Sequence, residues 1–189
     1  MDKRIKRLIV FTIPHVLIMG LCLLMILTGL ATPFISTFAL DMQGNLYVGE
    51  GKMLRIYHNG VLLREIEMED YDYAFTINSN NELVVSYTST VCRMDTSGKI
   101  LDEWEDHNAK TYQELRRTGT NLTMPNGDKY RKVSELGWTR ILRNGTEEIY
   151  RLSVFSFIIK LLMSLCFVSL FVNIPWLIYR DYKENKVQR

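Results

Sequence analysis

From Leu8 to Thr32 the chain contains no Asp, Glu, Lys or Arg. As a helix those 25 residues would be about 38 Å long, more than the roughly 30 Å hydrocarbon core of a bilayer. A second apolar block, Leu152 to Tyr179, is interrupted only by Lys160. Between the blocks the chain is polar and rich in Gly and Asn, so the mean hydropathy near zero averages two unlike materials. The pattern predicts transmembrane helices at 8–34 and 152–179 and a separate central domain at 35–151. A secretory signal peptide is the competing reading of the first block, because MDKRIKR is a positive n-region. The apolar run is about twice the usual h-region, however, and GLATP offers no A-x-A cleavage site, so an uncleaved anchor is expected.

Charge sets the expected orientation. Residues 1–7 carry four basic residues and one acid, and residues 180–189 carry four basic and two acids. By the positive-inside rule both tails are cytoplasmic and the central domain lies outside the cytoplasm, in a two-pass cell-membrane protein. Tails this short leave any signal to pass through helix packing or another subunit. Lys160 falls at the outer boundary if Leu161 to Leu177 span the core, where it snorkels to water; the alternative is an intramembrane ion or partner site. His15 and Asn173 lie at similar depth and could share a hydrogen bond. Pro14 and Pro175 are expected to bend their helices locally.

Residues 35–150 hold 13 Lys/Arg against 18 Asp/Glu, which argues against nucleic-acid binding. The central domain's lone cysteine, Cys92, rules out an internal disulfide framework, Cys22 and Cys166 being in the apolar blocks. What it has instead is a repeat. LDMQGNLYV (Leu40 to Val48), INSNNELVV (Ile77 to Val85) and MPNGDKYRK (Met124 to Lys132) align as strand, polar turn, strand. RIYHNGVLL (Arg55 to Leu63), RMDTSGKIL (Arg93 to Leu101) and RILRNGTEE (Arg140 to Glu148) align as a second hairpin. Asn59-Gly60 and Asn144-Gly145 suit type I′ turns, and Ser97-Gly98 and Gly44-Asn45 read as variants of the same turn. Four strands per unit of about 40 residues, repeated at about 37–68, 73–105 and 120–151, is a propeller-blade signature.

The first unit resembles the NHL repeat of six-bladed β-propellers through Asp41, Gly44, Asn45, Tyr47, Val48, Arg55, Ile56, Tyr57 and Gly60. The second carries Asn81, Arg93, Met94, Asp95 and Gly98 at those places, and the third Gly127, Asp128, Tyr130, Arg140 and Gly145. The resemblance implies an all-β module of three four-stranded blades, a partial or half propeller. Three blades do not close a ring. A homodimer making six blades, completion by another protein, or an open stack with covered edges would each resolve this. Between the second and third units, Asp106 to Gly119 includes AKTYQELRR, a short surface helix with Tyr112 and Leu115 on one side.

Few residues point to chemistry. Glu65, Glu67, Glu69, Asp70 and Asp72, and then Asp102, Glu103, Glu105 and Asp106, lack the spacing of a calcium loop and read as protection of exposed sheet edges. His58, His107 and Cys92 make no metal-ligand spacing. Arg55, Arg93 and Arg140 recur at one place in the repeat; they either line a common surface that grips an anionic ligand or tie each blade to the next. Asn121-Leu-Thr123 and Asn144-Gly-Thr146 are glycosylation sequons in the extracytoplasmic segment. The reading is therefore a membrane-anchored interaction or sensing module, an accessory subunit of a membrane complex, with no catalytic set, metal or cofactor implied. Its expected partners are the lipid bilayer and either a second copy or another membrane protein. A hydrolase-like propeller completed by dimerisation and a small transport component using His15, Lys160 and Asn173 are the alternatives.

Overall fold

The computed structural model describes residues 3–32, 34–135 and 138–187; Pro33 of GLATP, residues 136 and 137, and the outermost residues of both tails lie outside the described residues. The chain divides into two compact units, one formed by the terminal helices and one spanning Thr32–Ser153.

In the helical unit, α1 (Lys3–Leu27) and α3 (Val154–Val187) are each long and apolar enough to cross a membrane. The helix expected to reach residue 34 stops at Leu27, where Gly29 at φ 74° turns the chain. α3 in turn continues beyond residue 179, since no Gly or Pro in 180–187 ends it. Cys22 and Ala31 pack on Ile159, with Met25, Ile26 and Met163 around them. Most other apolar side chains of both helices, Leu17 and Phe171 among them, are uncovered by the rest of the chain.

The second unit contains three antiparallel four-stranded meanders. Sheet 1 is β1 (Ile35–Leu40), β2 (Leu46–Glu50), β3 (Met53–His58) and β4 (Val61–Glu67). Sheet 2 is β5 (Ala74–Ile77), β6 (Leu83–Ser86), β7 (Thr90–Met94) and β8 (Ile100–Glu105). A helix, α2 (Lys110–Thr118), precedes sheet 3, which is β9 (Asn121–Thr123), β10 (Lys129–Glu135), β11 (Trp138–Arg143) and β12 (Glu147–Arg151).

One five-residue turn builds four of the hairpins. In Asp41–Asn45, Asn78–Glu82, Asp95–Lys99 and Met124–Asp128 the fourth residue donates its N–H to the first carbonyl and takes positive φ. In the first three, the leading Asp or Asn also accepts two backbone N–H groups through Oδ1, at 2.8–3.0 Å. This corrects the expectation for Gly44-Asn45 and Ser97-Gly98, which are not two-residue turns: only their glycines have positive φ. Asn59-Gly60 and Asn144-Gly145 do have positive φ at both residues, as type I′ requires. The turn also moves the third repeat by one residue, setting Met124 opposite Asp41 and Asn78 rather than Leu40 and Ile77.

Sheet 1 is the central layer. Its side chains alternate, and both faces are apolar. Ala39, Tyr47, Leu54, Ile56 and Ile66 pack against Phe75, Leu83, Val85, Cys92 and Met94 of sheet 2. Ile35, Phe38, Leu46 and Val48 pack against Tyr130 and Ile141 of sheet 3 and against Leu152. Polar contacts reinforce each side: Tyr73 donates to Met53 O at 2.9 Å, and Lys132 Nζ donates to the carbonyls of Ile35 and Ser36 at 3.0 and 2.8 Å. The spatial order is thus 3–1–2, whereas consecutive propeller blades would put the second in the middle.

The cause lies in α2. Its Tyr112 and Leu115 pack on Ala74, on the face of sheet 2 turned away from sheet 1. The Tyr112 hydroxyl donates to Asp72 and accepts from Arg116 Nη1 at 2.7 Å. The helix occupies ground that a following sheet would take, and sheet 3 stacks on the opposite face of sheet 1 instead. Gly119, at the helix C-terminus, accepts from Phe38 N at 3.1 Å, so the connection is pinned to β1.

Candidate functional site

Between sheets 1 and 3 lies a cleft of about 840 Å³. Its base is built by the outward alternation of β2, β3 and β12. Leu46 and Val48 face sheet 3, so two residues on, Glu50 does too; Arg55 opposes Val48 and Tyr57 opposes Leu46, which puts both on that same face. Tyr150 opposes Ile141, whose side chain enters the core shared with sheet 1.

These four side chains form one network. Glu50 is 4% exposed, and burying an isolated carboxylate is costly. Here it accepts from Arg55 Nη1 at 2.5 Å, from the Tyr57 hydroxyl at 3.4 Å and from the Tyr150 hydroxyl. Arg55 Nε donates in addition to Glu65 at 2.7 Å. The two tyrosine rings lie 5.2 Å apart at 54°. Burial, and then the negative charge of Glu50, raises both hydroxyls above the ordinary phenol value, Tyr150 by far the more, so both stay protonated donors.

The opposite wall is a second set of closed pairs. Arg143 donates to Asp128 at 2.6 Å and sits 3.6 Å from Glu147, while Asn126 and Asn144 donate to the two Asp128 oxygens at 2.9 and 2.8 Å. Hydrogen bonding from Arg143 and then Asn144 holds the Asp128 carboxyl below its usual range. At the rim, Arg151 grips both oxygens of Glu148 at 2.8 Å. Among the described residues, every guanidinium that lines the cleft already has a carboxylate beside it, and every carboxylate a guanidinium.

The three arginines of the repeat do not share a surface. Arg93 opposes Val84, the second residue after its turn, whereas Arg55 opposes Val48, the third after its own. A shift of one residue reverses the face. Arg93 therefore points away from sheet 1, and Arg140, one residue from the buried Ile141, points away from it as well. Nor do they tie one sheet to the next. Arg55 pairs with Glu50 and Glu65, Arg93 with Glu82 at 3.9 Å and Asp102 at 3.5 Å, and Arg140 with Glu135 at 2.6 Å and Glu148 at 3.6 Å, each within its own sheet. Of the three, Arg55 alone lines the cleft.

Glu50, Tyr57, Tyr150, Arg143 and Asp128 were not singled out by the sequence as site residues. Tyr57 and Asp128 are themselves landmarks of the repeat, Glu50 lies two residues past Val48 and Arg143 one before Asn144, but their convergence depends on sheet 3 crossing to sheet 1. The acidic outer strands β4 and β8 are mostly exposed edges, and among the described residues no His, Cys, Asp and Glu cluster of metal-binding geometry occurs.

In the helical unit, His15 and Asn173 do not meet directly. Asn173 Nδ2 donates to Ser169 Oγ at 3.1 Å and to Ser169 O at 2.9 Å; Ser169 Oγ lies 3.0 Å from His15 Nε2, and His15 Nδ1 donates to Phe11 O at 2.8 Å. Ser169 is the link the sequence reading missed. Lys160 is half-buried on α3, and its carbonyl accepts from Ser164 Oγ at 2.9 Å.

No protein-family model and no curated protein matches the sequence. A solved structure of a protein of unknown function from Bacteroides caccae is similar over 63% of this chain, at 12% identity and a TM-score of 0.33. The match spans 45% of that protein, and a likeness this weak carries no argument about fold or function.

Proposed function

We propose that this chain is a two-pass membrane protein whose β-module stands outside the cytoplasm as an interaction or sensing module, serving as an accessory subunit of a membrane complex. The sheets are read as three NHL-like, propeller-type blades whose order is altered by α2. The observation that carries the proposal is the cleft between sheets 1 and 3. Its arginines and carboxylates are paired with one another and its phenols are held protonated, which fixes a set of dipoles around an open cleft. Such a surface recognises rather than reacts. The uncovered apolar faces of α1 and α3 support lipid or a partner helix as their surroundings, and the chain of hydrogen bonds through His15, Ser169 and Asn173 is read as glue between the two helices rather than as a transport path.

Two experiments test this. In a chain with its three cysteines replaced, Lys99→Cys is expected to react with a membrane-impermeant maleimide on intact cells, and Lys183→Cys only after permeabilisation; the reverse pattern would refute the topology. A photoreactive residue at position 59, on the cleft rim, is expected to give one defined adduct in native membranes. Absence of any adduct would sink the interaction-module reading.

A further inference from the structure

We infer that the cleft between sheets 1 and 3 takes a neutral, polyhydroxylated ligand, a short oligosaccharide segment, with the rings of Tyr57 and Tyr150 as its platform. This rests on the reading of the β-module as a binding module and names what it binds. Three features of the cleft select that chemistry.

Size is the first. About 840 Å³ lies toward the top of the roughly 300–1,000 Å³ range of small-ligand sites, enough for several sugar rings and far too little for a folded partner. Charge is the second. Arg55 is engaged by Glu50 and Glu65, Arg143 by Asp128 and Glu147, and Arg151 by Glu148. An anionic ligand would have to displace one of these carboxylates, and a cationic one would have to displace an arginine, leaving a charge unpaired in either case. A hydroxyl group displaces neither. It donates to a spare carboxylate lone pair and accepts from a spare guanidinium N–H at once, and Arg55 Nη2 has such N–H groups, being outside the bonds that Arg55 makes through Nε and Nη1.

The third feature is the tilted tyrosine pair at the base. A pyranose ring has an apolar C–H face that lies against an aromatic ring while its equatorial hydroxyls reach sideways, and Asn59, Asn126, Asp128, Arg143 and Glu147 line the same cleft as these rings. Both tyrosines line the cleft, and their hydroxyls are turned onto the buried Glu50 carboxylate, so each offers ring carbon rather than a free hydroxyl there.

The test uses the full chain in lipid nanodiscs, titrated by calorimetry with cellopentaose, maltopentaose and chitopentaose, and separately with hexaglutamate and hexalysine. Saturable binding of at least one neutral pentasaccharide is expected, weakened at least tenfold in Tyr57→Ala and changed less than threefold in Arg93→Ala, on the far face of sheet 2. Circular dichroism identifies any variant that fails to fold; Tyr57→Leu, which keeps an apolar side chain without a ring face, then carries the comparison and is expected to weaken binding at least tenfold. Binding of none of the three sugars overturns the inference, as does affinity indifferent to Tyr57→Ala in a folded protein. Saturable binding of a charged hexapeptide that is lost in Tyr57→Ala overturns the sugar while sparing the binding-module reading; that reading falls separately if position 59 yields no adduct.

Discussion

Replacing Tyr150 by phenylalanine removes one hydroxyl and little else, and it separates two accounts of how sheet 3 is held. That hydroxyl donates to Glu50, a carboxylate 4% exposed, across the junction of sheets 1 and 3. A hydrogen bond to a charged group contributes roughly 1.5–3 kcal/mol net, so Tyr150→Phe is expected to cost about 2 kcal/mol. Glu50→Gln removes the charge opposite Arg55. Breaking a buried pair costs about 3–5 kcal/mol, but the Arg55 side chain is 26% exposed and keeps Glu65, which brings the expected cost to about 3 kcal/mol. Because both changes act on the same bond, the double variant should lose about 1–2 kcal/mol less than the sum. For a module of this size each kcal/mol lowers the melting temperature by roughly 3–6 °C, so Tyr150→Phe should lower it by about 6–12 °C. The assay is heat unfolding of the detergent-solubilised full chain, followed by near-ultraviolet circular dichroism. Additivity within about 0.5 kcal/mol would refute the argument and leave sheet 3 held by Tyr130, Ile141 and Leu152 with the Lys132 hydrogen bonds to Ile35 and Ser36.

Gly98 has φ 91°, and a Cβ there would stand 2.7 Å from Ile66 Cγ2, whereas one at Gly60, φ 79°, meets nothing within 4 Å. Gly98→Ala is therefore expected to cost about 1–2 kcal/mol more than Gly60→Ala in denaturant unfolding, and equal costs would show that the β7–β8 turn does not press on β4. Burial, then Glu103, pushes the Cys92 thiol up to about 11, and burial, then Asp41, pushes the Tyr47 phenol up to about 12. Both raised values favour the protonated form in the folded chain, so this stability is complete below about pH 9 and is lost as pH climbs through 9–12. Melting temperatures measured from pH 8 to 12 should fall accordingly, with the 9–11 part of the fall flattened in Cys92→Ala. In the helical unit, His15→Leu and Ser169→Ala should each weaken the association of α1 with α3 by roughly 0.6–2 kcal/mol, read by cysteine cross-linking in membranes; no change in either would remove the polar link from the account.

Much of the fold was legible because it is written in local chemistry. The two apolar blocks give the long helices, and alternating apolar residues between Asn and Gly turns give three four-stranded meanders. Tyr112 and Leu115 likewise marked the buried side of α2. What could not be read was the stacking order, which depends on α2 filling the far face of sheet 2. Register was also hidden: RMDTSGKIL aligns with RIYHNGVLL by eye, yet a five-residue turn replaces a two-residue one, and Arg93 changes face. The candidate site inherits both difficulties. Arg55 was visible as a repeated arginine, but Glu50 and Tyr150 are 100 residues apart and meet only through the stacking order.

The order 3–1–2 also has a consequence for synthesis. Sheets 1 and 2 are neighbours in sequence and can close their shared core as soon as Met94 and the strands before it are available. The other face of sheet 1, with Phe38, Leu46 and Val48, has to wait for Tyr130, Ile141 and Leu152. Contacts at such separation are entropically slow to close. A ribosome-bound intermediate would thus carry an uncovered apolar sheet for the time taken to make the residues from Met94 to Leu152, about sixty of them, at typical elongation rates of roughly 5–20 residues per second, and that interval is when this chain is most open to chaperones or to aggregation.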